Sequence, residues 1–251
     1  MTAAAPGTTG AAAPVGTGTA PTAAAPTGTA SATAPGDDRV RALAVPGAWV
    51  FTPRQFSDPR GVFLEWFRTE AFASVTGHRF DLAQANCSVS RRGTLRGIHF
   101  ADVPPGQAKY VSCLAGAVLD VVVDIRVGSP TFGALDAVRL DDVDRRAVYL
   151  AEGLGHAFLA LTDQATVAYL CSTVYSPTGE HGITPSDRAL DLPGTVPGWP
   201  ADVELLLSDK DTAAPTLATA AVAGLLPQWS DCQHHVAGLQ AAAGGAPTGD
   251  A

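Results

Sequence analysis

The stretch AKYVSCLAGAVLDVVVDIRVGSP, residues 108 to 130, decides how the rest of the chain is read. Its halves KYVSCL (109–114) and AVLDVVVDIR (117–126) are rich in β-branched and aromatic residues, and the Ala115-Gly116 junction reads as a hairpin. In the second half Asp120, Val122 and Asp124 alternate with Leu119, Val121, Val123 and Ile125. That period of two puts the aspartates on one strand face and most of the aliphatics on the other. The theme returns in AVYLAEGLGHAFLALTDQATVAYLCSTVY (147–175), where EGLG and TDQ break short strands. Many short strands punctuated by Gly and Pro predict an all-β sandwich, jelly roll or barrel from Arg39 to about Gly194. Helix is predicted at TEAFASVTG, ending at Gly77, and in an Ala-rich stretch from about Thr216 with Gly224 as its stop.

The chain has 251 residues and a net charge of -8. Residues 1–37 are almost entirely Ala, Pro, Thr and Gly, too poor in large apolar groups to offset their ordering entropy. They are expected to form a disordered tail rather than a signal, lacking a basic start and an apolar run. Residues 236–251 are expected to form a second flexible tail, leaving residues 38–235 as one domain. The acidic balance offers no basic stripe for nucleic acid, and no stretch is apolar for long enough to span a membrane. Cys87, Cys113, Cys171 and Cys232 form no CxxC pair, so they read as free thiols in a reducing cytoplasm.

RRGTLRGIHFADVPPGQAKYV (91–111) sets one histidine, His99, among cations. Two residues to either side stand Gly97 and Ala101, so the paired histidines of a metal-binding barrel are missing, and no metal is expected. His99 reads either as an acid/base group or as a histidine satisfied within a sheet. Arg60, Arg96 and Lys109 read either as cations facing one anionic pocket or as solvated surface charges. Tyr169 and Tyr175, six residues apart, share a face if the strand is uninterrupted. They suit proton donation or stacking on a base, and equally a place in the core.

Taken in order, DPRGVFLEWF (58–67), QANCSVSRRGTLRGIHF (84–100), QAKYVSCLAGAVLDVVVDIRVGSPTFG (107–133), EGLGHAFLAL (152–161) and YLCSTVYSPTGEHGITPSDRAL (169–190) resemble the dTDP-4-dehydrorhamnose 3,5-epimerase family. The resemblance runs over roughly residues 40–230 and includes LSDKDTAAPTLATAAVAGLLP (207–227). It implies a cupin-type jelly roll and a homodimer in which an arm crosses to the partner's site. It also implies no cofactor and a dTDP-4-keto-6-deoxy sugar nucleotide as substrate. His99 would remove the proton beside the ketone, oriented by Asp187, and Tyr169 would return one on the opposite face. Lys109, with Arg96, would stabilise the enolate oxygen. Arg60 and Arg96 would lie near the diphosphate, and Phe63, Glu65 and Tyr175 would hold the nucleotide. Gln84, Asn86, Asp120, His156 and Glu180 would complete the pocket. The chain departs from the family pattern at Pro185-Ser186-Asp187, where relatives carry Trp-Asn-Asp, and at Ala157, where they carry glycine.

The chemistry suits these residue types. A carbon acid beside a ketone needs a base together with an oxyanion stabiliser, and inversion needs groups on both faces of the ring. The nearest rival is an epimerase that inverts only one carbon. A metal-dependent cupin oxygenase and a non-catalytic sugar-nucleotide-binding cupin are the rivals from other classes.

Overall fold

A computed structural model describes residues 39–244, and both the expected tail at 1–37 and the last seven residues lie outside the described part. The chain opens with β1 (Val40–Ala42), β2 (Ala48–Phe51), β3 (Gln55–Asp58), β4 (Gly61–Leu64) and helix α1 (Thr69–Thr76). Next come β5 (Gln84–Ser90), β6 (Leu95–Ala101), β7 (Lys109–Ala115), β8 (Ala117–Val123) and β9 (Leu135–Asp141). The strands finish with β10 (Ala147–Leu150), β11 (Gly155–Ala160), β12 (Ala165–Cys171) and β13 (Glu180–Gly182). Four helices follow: α2 (Leu192–Thr195), α3 (Asp209–Ala213), α4 (Leu217–Val222) and α5 (Trp229–Gly244).

Two antiparallel sheets carry the fold. One has six strands in the order β1-β2-β10-β7-β12-β5, the other five in the order β13-β6-β11-β8-β9. From β5 onward the chain keeps crossing between them, which makes the all-β architecture a jelly roll. This corrects the expected hairpin at Ala115-Gly116. β7 pairs with β10 and β12, whereas β8 pairs with β9 and β11, so the two halves of the diagnostic stretch lie in different sheets. Gly116 takes φ +74, and a Cβ there would collide with Thr162 Oγ1, so the crossing needs glycine.

The space between the sheets is filled by Val50, Val111, Val148 and Val167 from one and Val118, Val122, Val138, Leu140 and Phe158 from the other. The outer face of the five-stranded sheet places Leu119, Val121, Val123 and Leu159 under Leu190, Leu192, Leu217 and Ala220. β8 is therefore buried on both faces along its whole length. Each fully buried Val, Leu or Phe contributes about 1.5–3 kcal/mol, so this double layer is the main source of stability. Burial on both faces also means that Asp120 and Asp124 need partners. His156 serves Asp120, while Arg126, Ser129 and Thr131 serve Asp124.

Both expected helices form. α1 ends at Gly77 with φ +77, and α4 starts from Thr216, whose hydroxyl accepts from the Thr219 N–H. The expected flexible tail from residue 236 is corrected as far as Gly244, because α5 runs to that point. Alanine-rich sequence without proline or threonine favours helix. The helix is also tied down: Gln240 Nε2 donates to the Thr76 carbonyl at 2.9 Å, and the Trp229 ring lies 4.3 Å from the Arg126 guanidinium.

Candidate active site

His99 lies on β6, directly opposite His156 on β11. In a regular strand Arg96, three residues earlier, would face the other way. The register against β11 shifts here: Phe158 pairs with Arg96, so two steps on β11 match three on β6. The extra residue falls around Gly97, with φ +113, where a Cβ would strike the His156 carbonyl. The bulge turns Arg96 and His99 into one pocket of about 390 Å³, which Tyr175, Glu180, Ser208 and Asp211 also line.

The partner of His99 is Asp211. Its Oδ1 stands 2.6 Å from His99 Nε2, across 112 residues of sequence. Asp211 belongs to the first turn of α3, where Ser208 caps the helix by accepting from the Asp211 N–H. Burial pushes the Asp211 carboxyl up, but hydrogen bonds and charge from His99, the Ser208 hydroxyl and the Gly97 N–H outweigh it and hold the group below the usual range. Asp211 is thus a buried, ionised carboxylate placed to orient the imidazole.

Asp187 does not pair with His99, which corrects the expected dyad. Its Oδ1 accepts from the Ala189 N–H at 2.9 Å and its Oδ2 from the Leu217 N–H at 2.7 Å. It closes a turn and caps α4. Two backbone donors satisfy both carboxylate oxygens, and neither bond goes to the imidazole. Sequence reading passed over Asp211, although Ser208-x-x-Asp211 is a recognisable helix-start pattern that places a carboxylate on a first turn. Asp211→Asn is expected to lower solvent exchange on the order of 10²-fold, the low end of what a general base is worth. Asp187→Asn is expected to leave exchange close to wild type and to cost about 1 kcal/mol of stability through the weakened cap. Thermal melting and deuterium exchange, measured on both variants, separate the two roles.

The opposite wall is the six-stranded sheet. Lys109, Tyr169 and Cys171 share its inward face, Cys171 pairing with Lys109 and Tyr169 with Val111 across β12 and β7. Lys109 is buried, and burial lowers its pKa against the pull of Cys171, Glu180 and Asp120. Burial raises the Tyr169 phenol, as do Cys171 and Glu180, while Arg96 and a hydrogen bond with Asn86 oppose them. Both groups therefore feel Glu180, which lines the pocket mouth. Asp120 accepts from His156 at 2.8 Å through Oδ2, and its Oδ1 is buried without a hydrogen-bond partner.

Tyr175 reaches the pocket from a loop, since β12 ends at Cys171 and the strand is interrupted. Gln84 and Asn86 lie on β5 beside β12. Arg60, Phe63 and Glu65 are not brought into this pocket. Arg60 and Phe63 belong to the exposed β3–β4 hairpin, where Arg60 pairs with Asp58; Glu65, just beyond it, pairs with Arg68. Among the described residues no three His, Cys, Asp or Glu side chains form a metal-ligating group.

A jelly roll with a carboxylate-backed histidine on one sheet, and a phenol and a buried lysine on the other, forms a class of site equipped for proton transfer at carbon. Comparison with known proteins narrows the class. The family model described as dTDP-4-dehydrorhamnose 3,5-epimerase matches residues 42–219. The dTDP-4-dehydrorhamnose 3,5-epimerase of Mycolicibacterium smegmatis is 58% identical over 200 residues, 80% of this chain and 96% of the relative. The dTDP-4-dehydrorhamnose 3-epimerase of Streptomyces niveus is 55% identical over 195 residues, 78% of this chain and 91% of the relative. Among solved structures, ChmJ, a 3'-monoepimerase from Streptomyces bikiniensis in complex with dTDP-quinovose, superposes with a TM-score of 0.76 at 51% identity, covering 79% of this chain and 98% of that one. The rmlC epimerase of Mycobacterium tuberculosis gives a TM-score of 0.76 at 50% identity, covering 80% and 98%. The chain belongs to the dTDP-4-dehydrorhamnose 3,5-epimerase family.

Proposed function

We propose that this protein epimerises a dTDP-4-keto-6-deoxyhexose at C3 and C5 by proton removal and return through an enolate. One observation carries the reading: His99, backed by Asp211 of α3, and Tyr169 stand on opposed sheets, facing the same interior. Packed sheets lie about 10 Å apart, which leaves room for a sugar ring between a base on one face and an acid on the other. His99 takes the proton beside the C4 ketone, and Asp211 holds the ring and stabilises the imidazolium. Lys109 faces the developing C4 oxygen as a buried cation. Tyr169, whose raised pKa keeps it protonated, returns a proton to the other face.

Arg96 and Tyr175 at the mouth suit the diphosphate and the thymine. The exposed β3–β4 hairpin, with Phe56 and Phe63 open to solvent, supports a homodimer in which a second copy's arm brings Arg60, Phe63 and Glu65 to this pocket. Among the described residues no helix is long and apolar enough to cross a membrane. Four free cysteines and a nucleotide-sugar substrate support a cytoplasmic location.

Incubation with dTDP-4-keto-6-deoxyglucose in deuterated water tests the reading, with NMR showing which carbons exchange and invert. Deuterium and inversion at both C3 and C5 are the expected result; no exchange at either carbon overturns it. The Streptomyces niveus 3-epimerase, nearly as similar as the 3,5-epimerase of Mycolicibacterium smegmatis, supports inversion at C3 alone as the second reading. Lys109→Met keeps the side-chain stem and removes the charge. Turnover is expected to fall far more than dTDP affinity, because the ammonium acts on charge that develops only in the transition state. Steady-state kinetics alongside dTDP titration check this.

A further inference from the structure

Beside the candidate acid runs a one-way chain of hydrogen bonds. The backbone N–H of Tyr175 donates to Gln84 Oε1 at 2.9 Å. Gln84 Nε2 donates to Asn86 Oδ1 at 2.9 Å. Asn86 stands directly opposite Tyr169 across the β5–β12 pair, close enough that its amide pulls the phenol's pKa down against burial. Asn86 Nδ2 also lies 3.7 Å from Cys171 Sγ.

The direction of this chain is physically determined. A side-chain amide can turn end for end, because its oxygen and its NH₂ are similar in size. A backbone N–H can only donate. It holds the Gln84 oxygen toward Tyr175, which sends the Gln84 NH₂ to Asn86. Asn86 must then accept with its oxygen and present its NH₂ to Cys171 and the phenol. A phenol oxygen that accepts from Asn86 keeps its own hydrogen for another partner.

We propose that Gln84 and Asn86 are positioning residues that aim the Tyr169 proton into the pocket and thereby favour inversion over simple exchange. The proposal rests on the reading of Tyr169 as the acid. In the step it serves, the Tyr169 O–H bond breaks and a C–H bond forms from the enolate electron pair as the C4 carbonyl is restored. The phenolate left behind regains a proton from solvent, and the proton first removed leaves His99 for solvent. Asn86 assists twice, by directing the hydrogen beforehand and by donating to the phenolate afterwards. The same donation opposes the upward push that burial exerts on the phenol.

Two substitutions reverse the chain at different links. Gln84→Glu keeps an acceptor for the Tyr175 N–H but has no donor for Asn86. The Asn86 amide then turns its oxygen to the phenol and draws the phenolic hydrogen out of the pocket. Asn86→Asp places an acceptor against the phenol directly. With dTDP-4-keto-6-deoxyglucose in deuterated water, NMR reads two quantities: deuterium in unchanged configuration and inverted product. Their ratio is expected to rise about tenfold in both variants, since each loses the aim of one net hydrogen bond. A merely structural role would lower exchange and inversion together and leave the ratio where it was. Inverting wild-type protein with an unchanged ratio in both variants overturns the relay and leaves the epimerase reading standing. Wild-type protein that neither exchanges nor inverts overturns both.

Discussion

His99→Ala is expected to abolish deuterium exchange at both carbons, a loss on the order of 10²–10⁴-fold in rate. His99 is the imidazole paired with the buried Asp211 carboxylate. The second buried pair, His156 with Asp120, stands across from it, yet its Nε2 is committed to Asp120. The variant leaves the Asp211 carboxylate buried without the imidazole, so some stability is lost as well. Asp211 retains the Ser208 cap, and the β6 backbone keeps its pairing with β11 and β13, so the fold is expected to persist. Near-normal exchange in folded His99→Ala would sink the assignment of the base.

Tyr169→Phe is expected to uncouple the two halves of the reaction. The ring remains in its place on β12, so the packing is kept. His99 still removes the proton and returns a solvent-derived one to the same face. Deuterium therefore enters the substrate with configuration retained, while inverted product falls on the order of 10²-fold or more. Tyr175→Phe is expected to keep most turnover, because stacking needs the ring and not the hydroxyl. Product NMR in deuterated water reads both variants. Wild-type inversion from Tyr169→Phe would assign the acid to another group or to water.

The candidate site was legible in sequence where a residue's chemical type suits it to acid, base or charge-stabilising work. His99, Lys109 and Tyr169 were identified as candidates, and the structure places all three in or beside one interior space. Arg60, Phe63 and Glu65 were not brought there in the same chain, because they sit on or just beyond a hairpin exposed on both strands. Asp187 and Asp211 show the limit most clearly. Both are aspartates just after turn residues near the end of the fold. One meets two backbone N–H groups and the other an imidazole; the Ser208-x-x-Asp211 pattern marks a helix start but carries no information about an imidazole 112 residues away.

By itself the sequence determined what depends on neighbours a few residues away: the period of two along β8, the stops of the early helix at Gly77 and of the later one at Gly224, and the Thr216 cap. These rest on backbone sterics and on i to i+4 geometry, which any window of the chain contains. Tertiary structure alone decided which sheet each strand joined, so that Ala115-Gly116 became a crossing and not a hairpin. It also decided the bulge that turns Arg96 and His99 the same way, the helix that replaced the expected tail up to Gly244, and the choice of Asp211 across 112 residues. Those outcomes are pairings between distant segments, selected by which arrangement buries both faces of β8 and leaves each buried carboxylate a partner.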